Sequence, residues 1–500
     1  MRTSLRTTTV RLIAAGCSLV ASACASTPTY QTPKAEMAPS FKELPAPDSK
    51  LGLAWKSAQP QDDTLRPKWW EAFGDPRLNA LEERVAIANP TVAQAEATFR
   101  AARAALREAG ADLYPTIGVT GSASASRPSA NRTETRAVQG TPANATATVS
   151  TVGTVQDYLI SSDISYEPDL WGRVRDSIRA GAATAQAAAA DLQNTLLSLQ
   201  TDLAVDYIEL RGIDVEIRLL TDATDAYSRA LQLTINRHDQ GIASGADVAQ
   251  ARAQLETTRV QATDLTIARA QMEHAIAVLT GQPPSALSLE TSTTTLAPPQ
   301  IPIALPSELL ERRPDIASAE RHAAAANAEI GVAHAAFYPT LTLTGTAGLE
   351  SAAISTLLDW PSRLWSLGAA LAQTAFDGGR RRAATDQAVA NYDATVAAYR
   401  NSVLTAFQQV EDNLVALRVL ADEAEEQQAA VDAAEQSLTI ANNQYQGGIA
   451  SYLNVITAQN VALTSERDAA DLLTRRLTAS VELVKALGGG WTVADIPKVR

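Results

Sequence analysis

One alternating pattern occurs twice in this chain: LYPTIGVTGSASA over Leu113–Ala125 and FYPTLTLTGTAGL over Phe337–Leu349. Each follows an Ala-rich run that stops at Tyr-Pro. In the later copy Leu341, Leu343, Ala347 and Leu349 point one way and Thr340, Thr342, Thr344 and Thr346 the other. In the earlier copy Ile117, Val119, Ala123 and Ala125 oppose Thr116, Thr120, Ser122 and Ser124. A period of two is a strand. A strand of about 10 residues with one apolar face and one uncharged polar face suits a transmembrane β-barrel, with lipid outside and water inside. It also suits a half-buried strand in a soluble sheet. Each copy has a return strand: Tyr158, Ile160, Ile164 and Tyr166 alternate with Ser161, Asp163 and Ser165, and the second runs through Trp365, Leu367, Ala369 and Leu371.

The copies belong to a longer duplication. Pro314 falls on Pro90 and Pro339 on Pro115, both 224 residues on. Beyond the hairpins the offset is 207: Val403, Val410, Leu414, Leu417 and Leu420 follow Leu196, Leu203, Tyr207, Leu210 and Ile213. Registers held over such lengths are an internal two-fold repeat. The Leu seam predicts a helix from Val174 to about Gln240, on the order of 100 Å long at 1.5 Å per residue. That is too long for a compact domain, so it is expected to project away from the strands. It breaks at Gly241-Ile242-Ala243-Ser244-Gly245, and Gly448-Ile449-Ala450-Ser451 repeats the break. Helical hairpins with sharp tips follow from this.

Four strands cannot close a barrel, for which about eight is the practical minimum. An open edge in lipid leaves backbone groups unsatisfied at several kcal/mol each. If the strands cross a membrane, several chains must share one barrel with closed cyclic symmetry.

Three arginines precede an apolar run from Leu12 to Ala23, followed by Cys24. This reads as an export signal. Both cysteines, Cys17 and Cys24, lie in this region, so no intrachain disulfide is expected after cleavage. The formal net charge is −13, and −16 without Arg2, Arg6 and Arg11, which makes nucleic acid a poor partner. The four histidines are scattered and no nucleophile or phosphate-binding motif has a useful context, so neither a metal, a cofactor nor an enzyme activity is expected. The expected organisation is a signal peptide over 1–23, a Pro-rich extended linker over 24–68, repeat 1 over 69–281, a Pro-rich connector over 282–306, repeat 2 over 307–491 and a tail over 492–500. The β-hairpins are placed at about 114–167 and 338–376, with a long Thr/Ala/Asn/Gly loop over 127–156 in the first.

The strings WWEAFGDPRL, LYPTI, FYPTL, YEPDLWGRVR, LLERRPDIASAE, FDGGRRRA, the two GIAS tips and ALGGGW run from Trp69 to Trp491. Together they resemble the TolC-like outer membrane factors, specifically the lipidated NodT/OprM-type channels of resistance–nodulation–division efflux systems. The resemblance implies an α+β membrane protein: a homotrimer with a 12-stranded transmembrane β-barrel, four strands per chain, continuous with a long α-helical periplasmic barrel. It implies a periplasmic membrane-fusion adaptor and an inner-membrane pump as partners. The N-terminus resembles a bacterial lipoprotein signal, which implies lipid on Cys24 and, with Ala25 following, the outer membrane. An ordinary signal peptide is the alternative. The resemblance further implies that the tips face the adaptor and that residues just beyond them narrow a closed aperture. Those are Asp247, Asn454 aligned with it, and Thr457, which stands where many relatives carry Asp. The tip glycines also read as helix terminators, and Asp247 as a helix N-terminal stabiliser. Besides small-solute efflux, a duct for protein secretion and a pore-less structural lipoprotein fit the same sequence class.

Overall fold

The computed structural model describes residues 29–34, 40–43, 68–127, 129, 154–292, 296–299 and 313–489. The expectations for the signal peptide, Cys24, most of the N-terminal linker, the core of the first hairpin loop, residues 293–295 and 300–306 of the connector, residues 307–312 of repeat 2, Trp491 and the tail lie outside the described residues. The described chain is mostly helical, with one four-stranded antiparallel sheet. Its principal elements are α1 (Pro76–Ala88), α2 (Pro90–Ala111), β1 (Thr116–Ser126), β2 (Val155–Tyr166), α3 (Arg173–Asp239), α4 (Gly245–Leu279), α5 (Pro314–Ala335), β3 (Thr340–Ser351), β4 (Arg363–Ala372), α6 (Arg380–Gln446) and α7 (Tyr452–Ala486). Lengths match between the halves: α2 and α5 have 22 residues each, α3 and α6 have 67, and α4 and α7 have 35.

Two compact units form, each drawing on both halves of the chain. Among the described residues, one holds 29–30, 104–127, 129, 154–181 and 325–392, including the sheet; the other holds 31–34, 40–43, 68–103, 182–292, 296–299, 313–324 and 393–489. In the sheet unit the strands run in the order β1-β2-β3-β4, so each meets its sequence neighbour. Trp171 stacks on Tyr338 at 4.8 Å and its indole Nε1 donates to the Pro339 carbonyl at 2.6 Å. The PDLWGR and FYPTL strings therefore meet at the foot of the sheet. Gly172 and Gly379, 207 residues apart, both hold positive φ (87° and 91°) at the turns into α3 and α6.

The core of the helical unit is built on the Leu seams. Leu203, Tyr207 and Leu210 of α3 and Val410, Leu414, Leu417 and Leu420 of α6 are buried in one cluster with Ile276 of α4 and Leu477, Val481 and Leu483 of α7. Trp69, Trp70 and Phe73 join it from a 3₁₀ turn that precedes α1. Asp75 caps α1: its Oδ1 accepts from the Arg77 and Leu78 amides and its Oδ2 accepts from the Tyr207 hydroxyl at 2.6 Å. Arg313, last of the LLERR string, forks onto Asp315 and donates to the Ala486 carbonyl at 3.0 Å, which satisfies the C-terminus of α7.

Two further ties had no sequence signal. Phe41 is buried edge-on to Phe407, while the Lys42 and Glu43 amides donate to the two carboxylate oxygens of Glu411 at 2.7 and 2.9 Å. The connector is held by a buried charge cluster. Asp214 accepts from Arg211 at 2.8 Å, from Arg269 at 2.7 Å and from the Ser292 amide at 3.0 Å, and Arg269 also donates to the Leu289 carbonyl.

Glu82 is an exception to this satisfaction. It lies on the buried face of α1 beside Leu78, Leu81 and Val85, and neither carboxylate oxygen has a partner. Burial alone pushes its carboxyl well above the ordinary range. An acid raised in the folded state stabilises the fold below its unfolded pKa, and that stabilisation is lost as pH rises through the folded pKa. Glu82→Leu is therefore expected to raise the melting temperature at pH 8, by about 1–3 kcal/mol of stability. The difference should shrink as pH falls toward 4 in parallel thermal melts.

Candidate membrane sheet and helical tips

Strand register decides what each face of the sheet carries. Ile117 pairs with Ile164, Ile164 with Gly345 and Gly345 with Leu367; Val119, Ser162, Ala347 and Trp365 form the next row. One face is thus Ile117, Val119, Ala123, Tyr158, Ile160, Ile164, Leu341, Leu343, Leu349, Trp365, Leu367 and Leu371. The other is dominated by Thr116, Thr120, Ser122, Ser161, Ser165, Thr340, Thr342, Thr344, Thr346 and Ser366, with Gly and Ala between them and with Asp163, Leu159, Glu350 and Leu364 on the same face. The alternations of four separate strands fall into phase.

The apolar face is left uncovered. Trp365 is 76% exposed, Leu367 81% and Leu371 69%. A soluble sheet would cover such a surface; a sheet against hydrocarbon leaves it bare. On the opposite face Asp163 accepts from Thr346 Oγ1 at 2.8 Å and from Ser161 Oγ at 3.1 Å, so its charge is held within a hydroxyl lining. Aromatic side chains mark both ends of the sheet. Tyr114, Phe337, Tyr338 and Phe376 sit at one end, and Trp360, whose ring carries the Arg363 guanidinium, at the other. Such girdles form where headgroups meet hydrocarbon. Among the described residues no helix is long and apolar enough to cross a membrane. Among the described residues the sheet has two unpaired edges, β1 and β4.

The helical tips repeat in detail. Gly241 and Gly448 both have φ of 75°, the left-handed conformation that suits glycine. Ile242 N donates to the Arg237 carbonyl and Ile449 N to the Gln444 carbonyl, at 2.8 and 2.9 Å. Ile242 is 63% exposed and Ile449 81%. Ala243 and Ala450 lead into Ser244 and Ser451, the N-caps of α4 and α7, with Gly245 opening α4. The two starts then differ. Ser244 and Asp247 form a reciprocal capping box, whereas Ser451 makes no side-chain cap and Asn454 only donates its amide to the Ser451 carbonyl. Asp247 is thus engaged locally and half-buried, while Asn454 is exposed. Thr457 is exposed too, and its hydroxyl donates to the Leu453 carbonyl one turn back.

Arg237, which sequence reasoning missed, couples the two tips. Its Nη1 donates to the Tyr445 and Gln446 carbonyls at 2.9 and 3.3 Å, and its guanidinium lies 4.7 Å from the Tyr445 ring. The signal available was a basic residue in the last turn of α3; it serves the neighbouring helix end instead of its own. Tyr445 packs on Tyr452, whose hydroxyl is pushed up to about 12 chiefly by burial.

The geometry defines a class before any comparison: a chain that offers an open sheet of four strands with one bare apolar face, and pairs of very long helices ending in tight tips. The family model for outer membrane efflux proteins matches residues 82–282 and 305–489. The chain is 31% identical over 484 residues to the probable efflux pump outer membrane protein TtgC of Pseudomonas putida, covering 96% of this chain and 94% of that one. It is 32% identical over 474 residues to the pyoverdine export outer membrane protein OpmQ of Pseudomonas aeruginosa, covering 95% of each. The solved outer-membrane channel OprN superposes with a TM-score of 0.83 at 29% identity, covering 94% of this chain and all of that one. The chain belongs to the outer membrane efflux proteins, and it works as an outer membrane efflux channel.

A lipid-facing row and a water-facing row should respond oppositely to charge. Leu367→Lys, near the middle of β4 on the apolar face, is expected to cost about 2–4 kcal/mol of membrane stability and to deplete the outer membrane fraction. Ser122→Lys, on the hydroxyl face of β1, should leave membrane yield close to wild type in the same fractionation. At the foot of the sheet, Trp171→Ala should cost about 2 kcal/mol through the lost stack and hydrogen bond, read by urea unfolding from vesicles, and Trp171→Phe should recover the stacking part.

Proposed function

We propose that this chain is the outer membrane exit duct of a tripartite efflux pump, a lipid-anchored homotrimer that passes small solutes passively from periplasm to exterior. The observation that carries the reading is the open sheet, with a bare apolar face, a small hydroxyl-rich face and two unpaired edges. Two chains would make an eight-stranded barrel, whose interior side chains normally fill it. The Ser, Thr, Gly and Ala residues that dominate this face, with Leu159 and Leu364 among them, would leave much of that interior unfilled. Three chains of four strands make a twelve-stranded barrel wide enough to keep a lumen. The matched lengths of helices and strands in the two halves support the reading that the chain is an internal duplication. The lipid on Cys24 rests on the sequence signal.

In this reading a periplasmic adaptor of the membrane-fusion type docks on Gly241–Gly245 and Gly448–Ser451. The exposed Ile242 and Ile449 serve as its apolar contacts, and an inner-membrane pump of the resistance–nodulation–division class supplies the energy. Asp247, Asn454 and Thr457 lie within two turns of the tips, where a closed aperture would form. Asp247 is committed to its capping box, so a ring of free carboxylates is not the gate we propose. The clamp of Arg237 on the Tyr445 and Gln446 carbonyls is the better restraint on opening. The cargo is not encoded in overall similarity. TtgC and OpmQ are equally related to this chain, yet only one is named for pyoverdine.

The direct test is single-channel conductance in a planar bilayer together with the mass in detergent. A trimer with small, flickering conductance that increases several-fold in Arg237→Ala supports a gated duct, and a monomer that never inserts refutes it. Ile242→Asp with Ile449→Asp should leave the trimer and its conductance intact. The same variant should lower resistance to pump substrates in cells at least fourfold, because docking is lost.

A further inference from the structure

We propose that the foot of the second hairpin binds the phosphate headgroup of an anionic phospholipid, through Arg380 and Arg382 at the start of α6 and the exposed Phe376 just before them. This rests on the reading that the bare face of the sheet borders lipid, and it adds a chemical selection among those lipids.

The two halves of the chain differ at this turn. With the offset of 207, Arg173 and Arg175 of α3 correspond to Arg380 and Arg382 of α6. In the first half each arginine is neutralised by an acid just upstream. Arg173 Nη2 donates to Glu167 at 3.1 Å, and Arg175 Nε donates to the nearly buried carboxylate of Asp169 at 3.0 Å. In the second half both acids are replaced. Thr374 stands at the position of Glu167 and Phe376 at that of Asp169. Asp377 does lie in the turn, but Arg381 takes it, donating from Nε at 2.6 Å and from its amide at 3.2 Å. Arg380 and Arg382 are both exposed, and among the described residues neither guanidinium has an ion pair or hydrogen bond.

Helix stability does not account for these arginines, because cations in a first turn meet the positive end of the helix dipole. Packing does not account for Phe376, which is 88% exposed. An anionic amphiphile suits both. Phe376 follows the exposed Leu367 and Leu371 of β4, so its ring extends the bare apolar surface toward the end of the sheet. The turn is fastened to the aromatic residues at that end: Gln373 Nε2 donates to the Phe337 carbonyl at 2.9 Å, and the Arg381 guanidinium lies 5.5 Å from the Phe337 ring centre. Aromatic residues stand where hydrocarbon meets headgroups, and the two free arginines follow directly beyond. Their planar forks match phosphate oxygens, while their aliphatic stems can lie along apolar surface. The chain as a whole has a net charge of −13, so attraction of an anion here is local to this turn. Each basic residue near an anionic lipid surface is worth about fivefold in affinity.

Native mass spectrometry of the full-length protein, delipidated in detergent and titrated with dioleoyl phosphatidylglycerol or dioleoyl phosphatidylcholine, tests the site. The unsubstituted protein should retain phosphatidylglycerol with an affinity about tenfold or more above that for phosphatidylcholine. Arg380→Gln with Arg382→Gln should bring that ratio close to one. Thr374→Glu with Phe376→Asp should do the same while keeping both arginines, because it rebuilds the turn that the first half of the chain already folds. Arg173→Gln with Arg175→Gln should leave the ratio unchanged, and Phe376→Ala should weaken both lipids while keeping it. Equal retention of the two lipids by the unsubstituted protein overturns the site. So does a preference that survives Arg380→Gln with Arg382→Gln. Displacement of phosphatidylglycerol by inorganic phosphate at equal concentration overturns the lipid assignment in favour of a free anion. In each of these cases a protein that still inserts and conducts leaves the duct standing. A monomer that never inserts overturns the duct and the lipid site together.

Discussion

Unpaired backbone groups in a hydrocarbon medium dominate the design of this chain. Each unsatisfied N–H or C=O there costs several kcal/mol, and the sheet exposes a full row on β1 and another on β4. A single chain has no internal remedy, because β1 and β4 stand at opposite ends of a four-stranded order. On the proposed reading the membrane-spanning structure is therefore a property of an assembly, and the chain is a segment of it.

The same incompleteness explains the surface of the sheet. On the proposed reading, large apolar side chains such as Leu367 and Trp365 stand bare because their solvent is lipid. The opposite face is mostly small and hydroxyl-rich, as a face bordering water without filling a lumen would be. Asp163 shows how a charge is admitted there, with Thr346 and Ser161 each donating to it.

The strings that marked the family turn out to hold helix ends and turns. Arg313 of LLERRPDIASAE, held by Asp315, donates to the last carbonyl of α7, Asp75 of WWEAFGDPRL caps α1 and binds Tyr207, and Trp171 of PDLWGR pins the turn below β3. These are backbone groups with no strand or helix partner of their own, so a specific side chain must stand at each. Substrate chemistry has no comparable foothold in these motifs.

Much of the fold was legible because its periods are long and repeated. The helix expected from Val174 to about Gln240 spans Arg173–Asp239, and the alternations around Ile117 and Leu341 are strands β1 and β3. The tips were legible because Gly241 and Gly448 need a left-handed backbone. Other features depended on residues far apart in the chain. The burial of Phe41 against Phe407, the Arg237 clamp on Tyr445 and the pairing of β2 with β3 each join segments whose spacing carries no local signal. Period and punctuation act within a few residues along the chain, so the sequence by itself determined the elements, their duplication and their turns. Register between strands, the partner of each cap and the phase of four apolar rows on one face are long-range choices, and only packing in three dimensions decided them.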